Sequence, residues 1–85
     1  MSALFTEFKL KDVTLRNRIA VPPMCQYSAI DGYTNDWHLA HYTSIARGGA
    51  GLVIVEATAV TPEGRITPGC TGLWEDGQVE GMAKI

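Results

Sequence analysis

The chain has 85 residues, 46% of them hydrophobic, and a formal net charge of −2. That composition belongs to a globular chain and excludes a disordered or fibrous one. The mild acidity argues against nucleic acid or an anionic membrane surface as the main partner.

No apolar run approaches the ~20 residues that a membrane-crossing helix needs. The start, Met1-Ser2-Ala3-Leu4-Phe5-Thr6-Glu7, lacks the basic flank and long apolar core of a signal peptide. The expected compartment is therefore the cytoplasm, and Cys25 and Cys70 read as free thiols.

Phe8-Lys9-Leu10 and Val13-Thr14-Leu15 are short alternating runs around Lys11-Asp12, the pattern of a small hairpin. Ile19 to Val21 reads as a buried strand. Pro22 and Pro23 stop it, because neither has a backbone N–H to continue a ladder. Asp31-Gly32 signals a turn, and Thr34, Asn35 or Asp36 can cap a helix from Asp36 to Arg47. Trp37, Ala40, His41, Ser44 and Ile45 share one face of that helix. Arg47 suits its last turn, and Gly48-Gly49 ends it.

Leu52-Val53-Ile54-Val55 reads as a strand buried on both faces, the habit of a parallel sheet. First strand, helix and second strand then form a βαβ unit with a right-handed crossover. Two turns follow, Thr61-Pro62-Glu63-Gly64 and Thr67-Pro68-Gly69-Cys70. A second helix starts near Glu75-Asp76, with Val79, Met82 and Ala83 as its buried stripe. It carries no stop signal before Ile85, and two parallel strands leave open sheet edges. Residues 1–85 are therefore expected to be the N-terminal segment of one larger domain.

The chemistry concentrates just after the first strand. Met24, Cys25, Gln26 and Tyr27 place a thioether, a thiol, an amide and a phenol behind the two prolines. A strand that ends abruptly and then presents polar and reactive groups looks like the rim of a site. Ala57 ends the second strand, and neighbouring parallel strands lie ~4.8 Å apart, so the two tips can reach one ligand. Glu56 reads as buried and paired, with no catalytic role. Cys25 has no base beside it in sequence and is not read as a covalent catalyst. His38 and His41 stand at i, i+3, a spacing open to a metal, but no third ligand supports one. They read as packing residues. Gly48-Gly49-Ala50-Gly51 precedes a strand and so cannot hold phosphate at a helix N-terminus.

Six pieces in order carry a resemblance. They are Leu15-Arg16-Asn17-Arg18-Ile19, Pro22-Pro23-Met24-Cys25-Gln26-Tyr27, His38-Leu39-Ala40-His41-Tyr42, Arg47-Gly48-Gly49-Ala50-Gly51-Leu52, Val55-Glu56-Ala57-Thr58-Ala59-Val60 and Pro62-Glu63-Gly64-Arg65-Ile66-Thr67. Together they resemble the start of the Old Yellow Enzyme family of flavin-dependent ene-reductases. Cys25 and Tyr27 are similar to the branch of xenobiotic reductases and thermophilic-like ene-reductases.

The resemblance implies the N-terminal portion of an α/β (β/α)8 TIM barrel: hairpin, first strand, first helix, second strand and start of the second helix. It implies FMN as cofactor and NAD(P)H as reductant of activated C=C bonds in α,β-unsaturated carbonyls. By resemblance Pro22, Pro23, Met24, Cys25 and Ala57 contact FMN, Cys25 tunes its potential, and the Tyr27 phenol donates to a bound carbonyl. No residue of this segment is assigned a catalytic role. The substrate-holding His pair or His/Asn pair, the tyrosine proton donor and the phosphate-binding cations lie in later strands of the family. The implied partners are the remainder of the barrel, a small enone substrate and further copies of the complete enzyme in a homo-oligomer. A dihydroorotate-dehydrogenase-like FMN barrel, a non-catalytic fragment and one part of a split enzyme stay open as alternatives.

Overall fold

The computed structural model describes residues 2–85. Strands β1 (Phe8–Leu10) and β2 (Val13–Leu15) form the expected antiparallel hairpin, with Phe8 opposite Leu15 and Leu10 opposite Val13. Lys11 turns the chain with φ 51°, in the left-handed region. Arg18, placed just before the third strand, fastens the hairpin. Its guanidinium lies 5.0 Å from the centre of the Phe8 ring and donates to the Glu7 carbonyl at 3.1 Å. Phe8, Leu10 and Leu15 line one groove with Ile19, Ala20 and Leu52. The hairpin thus covers the N-terminal ends of the next two strands.

Those strands are β3 (Ala20–Val21) and β4 (Leu52–Val53), paired in parallel with Ala20 opposite Leu52 and Val21 opposite Val53. Helix α1 (Asp36–Arg47) is the crossover between them, with the expected bounds. Asn35 caps it: its side-chain oxygen accepts from the Trp37 N–H at 3.0 Å. His38 closes the capping box by accepting the Asn35 N–H on Nδ1 at 3.1 Å. At the other end Gly49 has φ +99°, a conformation costly for any residue with a Cβ. Asn17 then clamps the turn into β4. It donates to the Gly49 carbonyl at 2.7 Å and accepts from the Ile19 N–H at 3.0 Å.

The face shared by Trp37, Ala40, His41, Ser44 and Ile45 is not the one α1 buries. His38 and Tyr42 are the buried residues of α1, and Trp37 is 58% exposed. The buried carboxylate of Glu56 selects the face that offers it hydrogen-bond donors. The Leu52 to Val55 run is not buried on both faces either. The ladder ends at Val53, one further bond joins Ile54 N–H to the Val21 carbonyl at 3.0 Å, and Ile54 and Val55 are exposed. Pro22 and Pro23 give the neighbouring strand nothing to donate, and a two-stranded sheet covers its residues only in part.

The excursion after β4 contains a small sheet that composition does not signal. Strands β5 (Thr58–Ala59) and β6 (Thr71–Gly72) pair in parallel. Two residues each, without an aliphatic run, they carry no periodicity to read. Side chains replace it: the Thr58 and Thr71 hydroxyls lie 3.0 Å apart, and Thr71 also donates to the Ala57 carbonyl at 3.1 Å. Both proline turns form, the first as a 3-10 turn over Pro62–Gly64 and the second closed by Cys70 N–H on the Thr67 carbonyl at 3.1 Å.

A 3-10 turn over Asp76–Gln78 leads into α2 (Val79–Lys84). The expected stripe of Val79, Met82 and Ala83 is a second correction: Val79 and Ala83 are exposed and only Met82 is half-buried. Gln78 anchors this segment instead. Its Oε1 accepts from the Trp74 N–H at 2.7 Å and its Nε2 donates to the Asp31 carbonyl at 3.2 Å. A cavity of about 260 Å³ between α1, β4 and α2, lined by Ala46, Val53, Val55 and Met82 among others, belongs to helix–sheet packing.

The link between α1 and the end of the second strand is polar. Glu56 is 3% exposed. Tyr42 donates its hydroxyl to Glu56 Oε2 at 2.7 Å, and the same hydroxyl oxygen accepts the Glu56 N–H at 2.9 Å. Burial, with the adjoining carboxylate, pushes the Tyr42 phenol up to about 12. An unfolded tyrosine ionises near pH ~10. Between these values the folded chain keeps a proton that the unfolded chain loses. Stability should therefore be level in this respect below pH 10 and fall as pH rises toward about 12. Urea midpoints measured through that range should lose most of this alkaline slope in Tyr42→Phe. An unchanged slope would show that Tyr42 is not the group responsible.

Candidate functional site

Because β3 and β4 run parallel, the segments that leave them emerge at the same edge of the sheet, opposite the hairpin. Residues 22–27 leave β3, and residues 54–57 leave β4. At this rim Pro22, Pro23, Met24 and Ala57 are exposed and Cys25 is half-buried. The backbone N–H groups of Cys25 and Ala57 donate to nothing among the described residues. Apolar side chains and free backbone donors are what a flat, heteroatom-edged ring system requires of a wall. The residues present therefore fit a flavin, with Ala57 small enough for close backbone approach.

Gln26 holds the first segment in place. Its backbone N–H donates to Glu56 Oε1 at 3.3 Å, which ties it to the end of the second strand. Its side chain donates to the Met24 carbonyl at 2.9 Å and accepts from the Trp37 indole at 3.0 Å. Sequence reasoning singled out neither Gln26 nor Trp37 as a support of the loop. The available signal was the amide itself, placed between a thiol and a phenol.

An extended segment would turn Tyr27 to the same side as Cys25, but the chain is not extended at Tyr27. Its φ is 54°, the left-handed region, where a residue with a Cβ is strained by roughly 1–2 kcal/mol. The side chain is 63% exposed. Gly69 makes this bend possible: a Cβ there would lie 2.7 Å from the Tyr27 carbonyl oxygen. Ala29 N–H donates to the Gly69 carbonyl at 3.1 Å, so the bend is pinned to the second proline turn. Strain held by surrounding contacts is a common mark of a functional segment.

Cys25 and Cys70 are both free thiols. Cys70 is nearly inaccessible, and its sulfur accepts the Thr67 N–H at 3.3 Å with the Thr67 hydroxyl at 3.6 Å. The Thr67 hydroxyl and N–H hold the Cys70 thiol below its ordinary range. No group of three metal-ligating side chains occurs among the described residues. His38 instead serves the helix cap, and His41 packs edge-on to the Tyr42 ring at 4.8 Å between centres. No helix among the described residues is long and apolar enough to cross a membrane.

Residues 3–85 match the NADH:flavin oxidoreductase / NADH oxidase family. An NADPH dehydrogenase of Listeria monocytogenes serotype 4b is 58% identical over 87 residues, covering 100% of this chain and 26% of that protein. A NADH:flavin oxidoreductase of Gibberella zeae is 54% identical over 82 residues, 96% of this chain and 20% of that protein. Among solved structures, morphinone reductase superposes with a TM-score of 0.86 at 30% identity, covering 96% of this chain and 21% of that one. The old yellow enzyme homologue of Zymomonas mobilis gives 0.86 at 32% identity, 99% of this chain and 23% of that one. The chain thus spans about a quarter of the curated relatives it matches. Its hairpin and βαβ unit form part of the (β/α)8 barrel of these enzymes, and no closed barrel exists among the described residues. The chain belongs to the NADH:flavin oxidoreductase / NADH oxidase family, whose solved members include the old yellow enzymes.

Proposed function

We propose that this chain forms one wall of the FMN site in an NAD(P)H-dependent reductase of activated C=C bonds, active when the barrel is complete. The observation that carries the reading is the rim itself. Two parallel strand tips end together at one edge, apolar and largely exposed, and the backbone donors of Cys25 and Ala57 are unpaired among the described residues. Sites of (β/α)8 barrels lie at the C-terminal ends of the strands. The name NADPH dehydrogenase, borne by the Listeria relatives, supports NADPH as a reductant.

FMN, when bound, supplies the hydride-transfer chemistry, with NAD(P)H as donor and an α,β-unsaturated carbonyl as acceptor. The chain's own residues bind and orient. Pro22, Pro23 and Met24 would pack against the ring, and the backbones of Cys25 and Ala57 would donate to its heteroatoms. The Cys25 thiol, which has no partner base, would adjust the flavin's potential and shape the pocket. Tyr27, exposed on a pinned bend, offers its hydroxyl to the substrate carbonyl. Residues 1–85 are the first segment of a single domain, and the remainder of the barrel supplies the phosphate site and the proton donor. We place the enzyme in the cytoplasm as a homo-oligomer.

Tyr27→Phe in the FMN-loaded protein keeps the ring and removes only the hydroxyl. One hydrogen bond to a neutral acceptor is worth about 0.5–1.5 kcal/mol. The enone step should lose roughly threefold to tenfold in kcat/KM, while flavin reduction by NAD(P)H stays unchanged. Rapid mixing follows the two half-reactions through flavin absorbance. An unchanged enone step would return Tyr27 to rim packing, and equal losses in both would mean that it holds the flavin. Cys25→Ala should shift the flavin's reduction potential and leave turnover measurable. Loss of flavin reduction with FMN still bound would give Cys25 a direct part in the chemistry.

A further inference from the structure

We propose that Glu56 is the positioning residue of the flavin wall: through the Gln26 N–H it sets the gap between the two strand tips that flank the ring. The proposal rests on the flavin reading and assigns a role to a residue that touches no ligand.

The geometry is that of a carboxylate between two tips. Glu56 immediately precedes Ala57 on one side, and its Oε1 accepts the Gln26 N–H at 3.3 Å on the other. Gln26 in turn directly follows Cys25 and holds the Met24 carbonyl at 2.9 Å. One buried side chain therefore connects the backbone of both flavin-facing segments. Its orientation is fixed from behind by Tyr42, which donates to Oε2 at 2.7 Å.

His38 turns a further N–H toward the carboxylate, beyond hydrogen-bond distance. Its Nδ1 accepts the Asn35 N–H, so in the neutral imidazole the proton resides on Nε2. That atom has no hydrogen-bond partner among the described residues, is fully buried, and lies 3.9 Å from Glu56 Oε1. All three groups that face the Glu56 side chain are donors, and a carboxylate is the side chain that only accepts. Glutamine has the same size but cannot satisfy this set. With its amide nitrogen toward Gln26 two donors collide, and with it toward Tyr42 the phenol loses its acceptor. A purely structural carboxylate would matter to folding alone. A positioning one also alters the ring's surroundings.

The test uses the full-length protein stripped of FMN and titrated with FMN, for wild type, Glu56→Gln and Tyr42→Phe. Flavin fluorescence gives the Kd, the bound absorbance spectrum reports the ring's surroundings, and hydrogen exchange reports residues 24–27. Glu56→Gln should raise the Kd by about tenfold, shift the bound spectrum and speed exchange at Gln26. Tyr42→Phe, which leaves the Gln26 link in place, should raise the Kd by about threefold. A lowered urea midpoint with unchanged Kd and spectrum in Glu56→Gln would overturn the proposal. If Glu56→Gln does not fold, Tyr42→Phe decides, and an unchanged Kd with unchanged exchange overturns it. Failure of the wild type to bind FMN would instead overturn the flavin reading itself.

Discussion

A carboxylate taken out of water must be hydrogen-bonded or it costs several kcal/mol. Glu56 lies at 3% exposure, and that constraint organises much of this small structure. It draws Tyr42 and His38 inward from α1 and the Gln26 N–H across from the loop after β3. Three segments far apart in sequence are joined at one point. The helix rotates accordingly, burying a phenol and an imidazole while Trp37 is left at the surface.

The rim arises from the same join together with two prolines. Pro22 and Pro23 end the ladder by withholding donors, so the chain beyond them cannot continue as sheet. A loop freed in this way would wander unless held. Gln26 is held from three directions, by Glu56, by Met24 and by Trp37. Tyr27 is held in a left-handed bend by the approach that Gly69 permits. The result is an ordered apolar edge with unused backbone donors, the kind of surface on which a cofactor needs little further reorganisation to seat.

Much of this was legible in the sequence because its signals are local. The hairpin shows in alternation about Lys11-Asp12, and α1 shows in Asn35, Arg47 and the paired glycines. The parallel pairing of β3 with β4 follows from a helix set between two aliphatic runs. The features that escaped depend on contacts distant in the chain. The buried face of α1 was not legible because hydrophobic periodicity carries no information about a carboxylate beyond the next strand. The β5–β6 pair was invisible because threonine hydroxyls, not aliphatic side chains, hold it. The Tyr27 bend depends on a glycine far along the chain, and Gln78 replaced an apolar stripe because its amide satisfies backbone groups of two separate segments. At the site, the positions after the strand tips and a buried, paired Glu56 could be named in advance, whereas its partners Gln26 and Tyr42 and the Trp37 contact could not.

The central claim is that the two strand tips together form a flavin wall. Hydrogen exchange of the full-length protein with and without FMN tests it most directly. Within this chain, bound FMN should slow exchange at Met24, Cys25 and Ala57 and leave the hairpin at Phe8–Leu15 unchanged. Exchange at Cys25 and Ala57 that does not respond to bound FMN would contradict the claim.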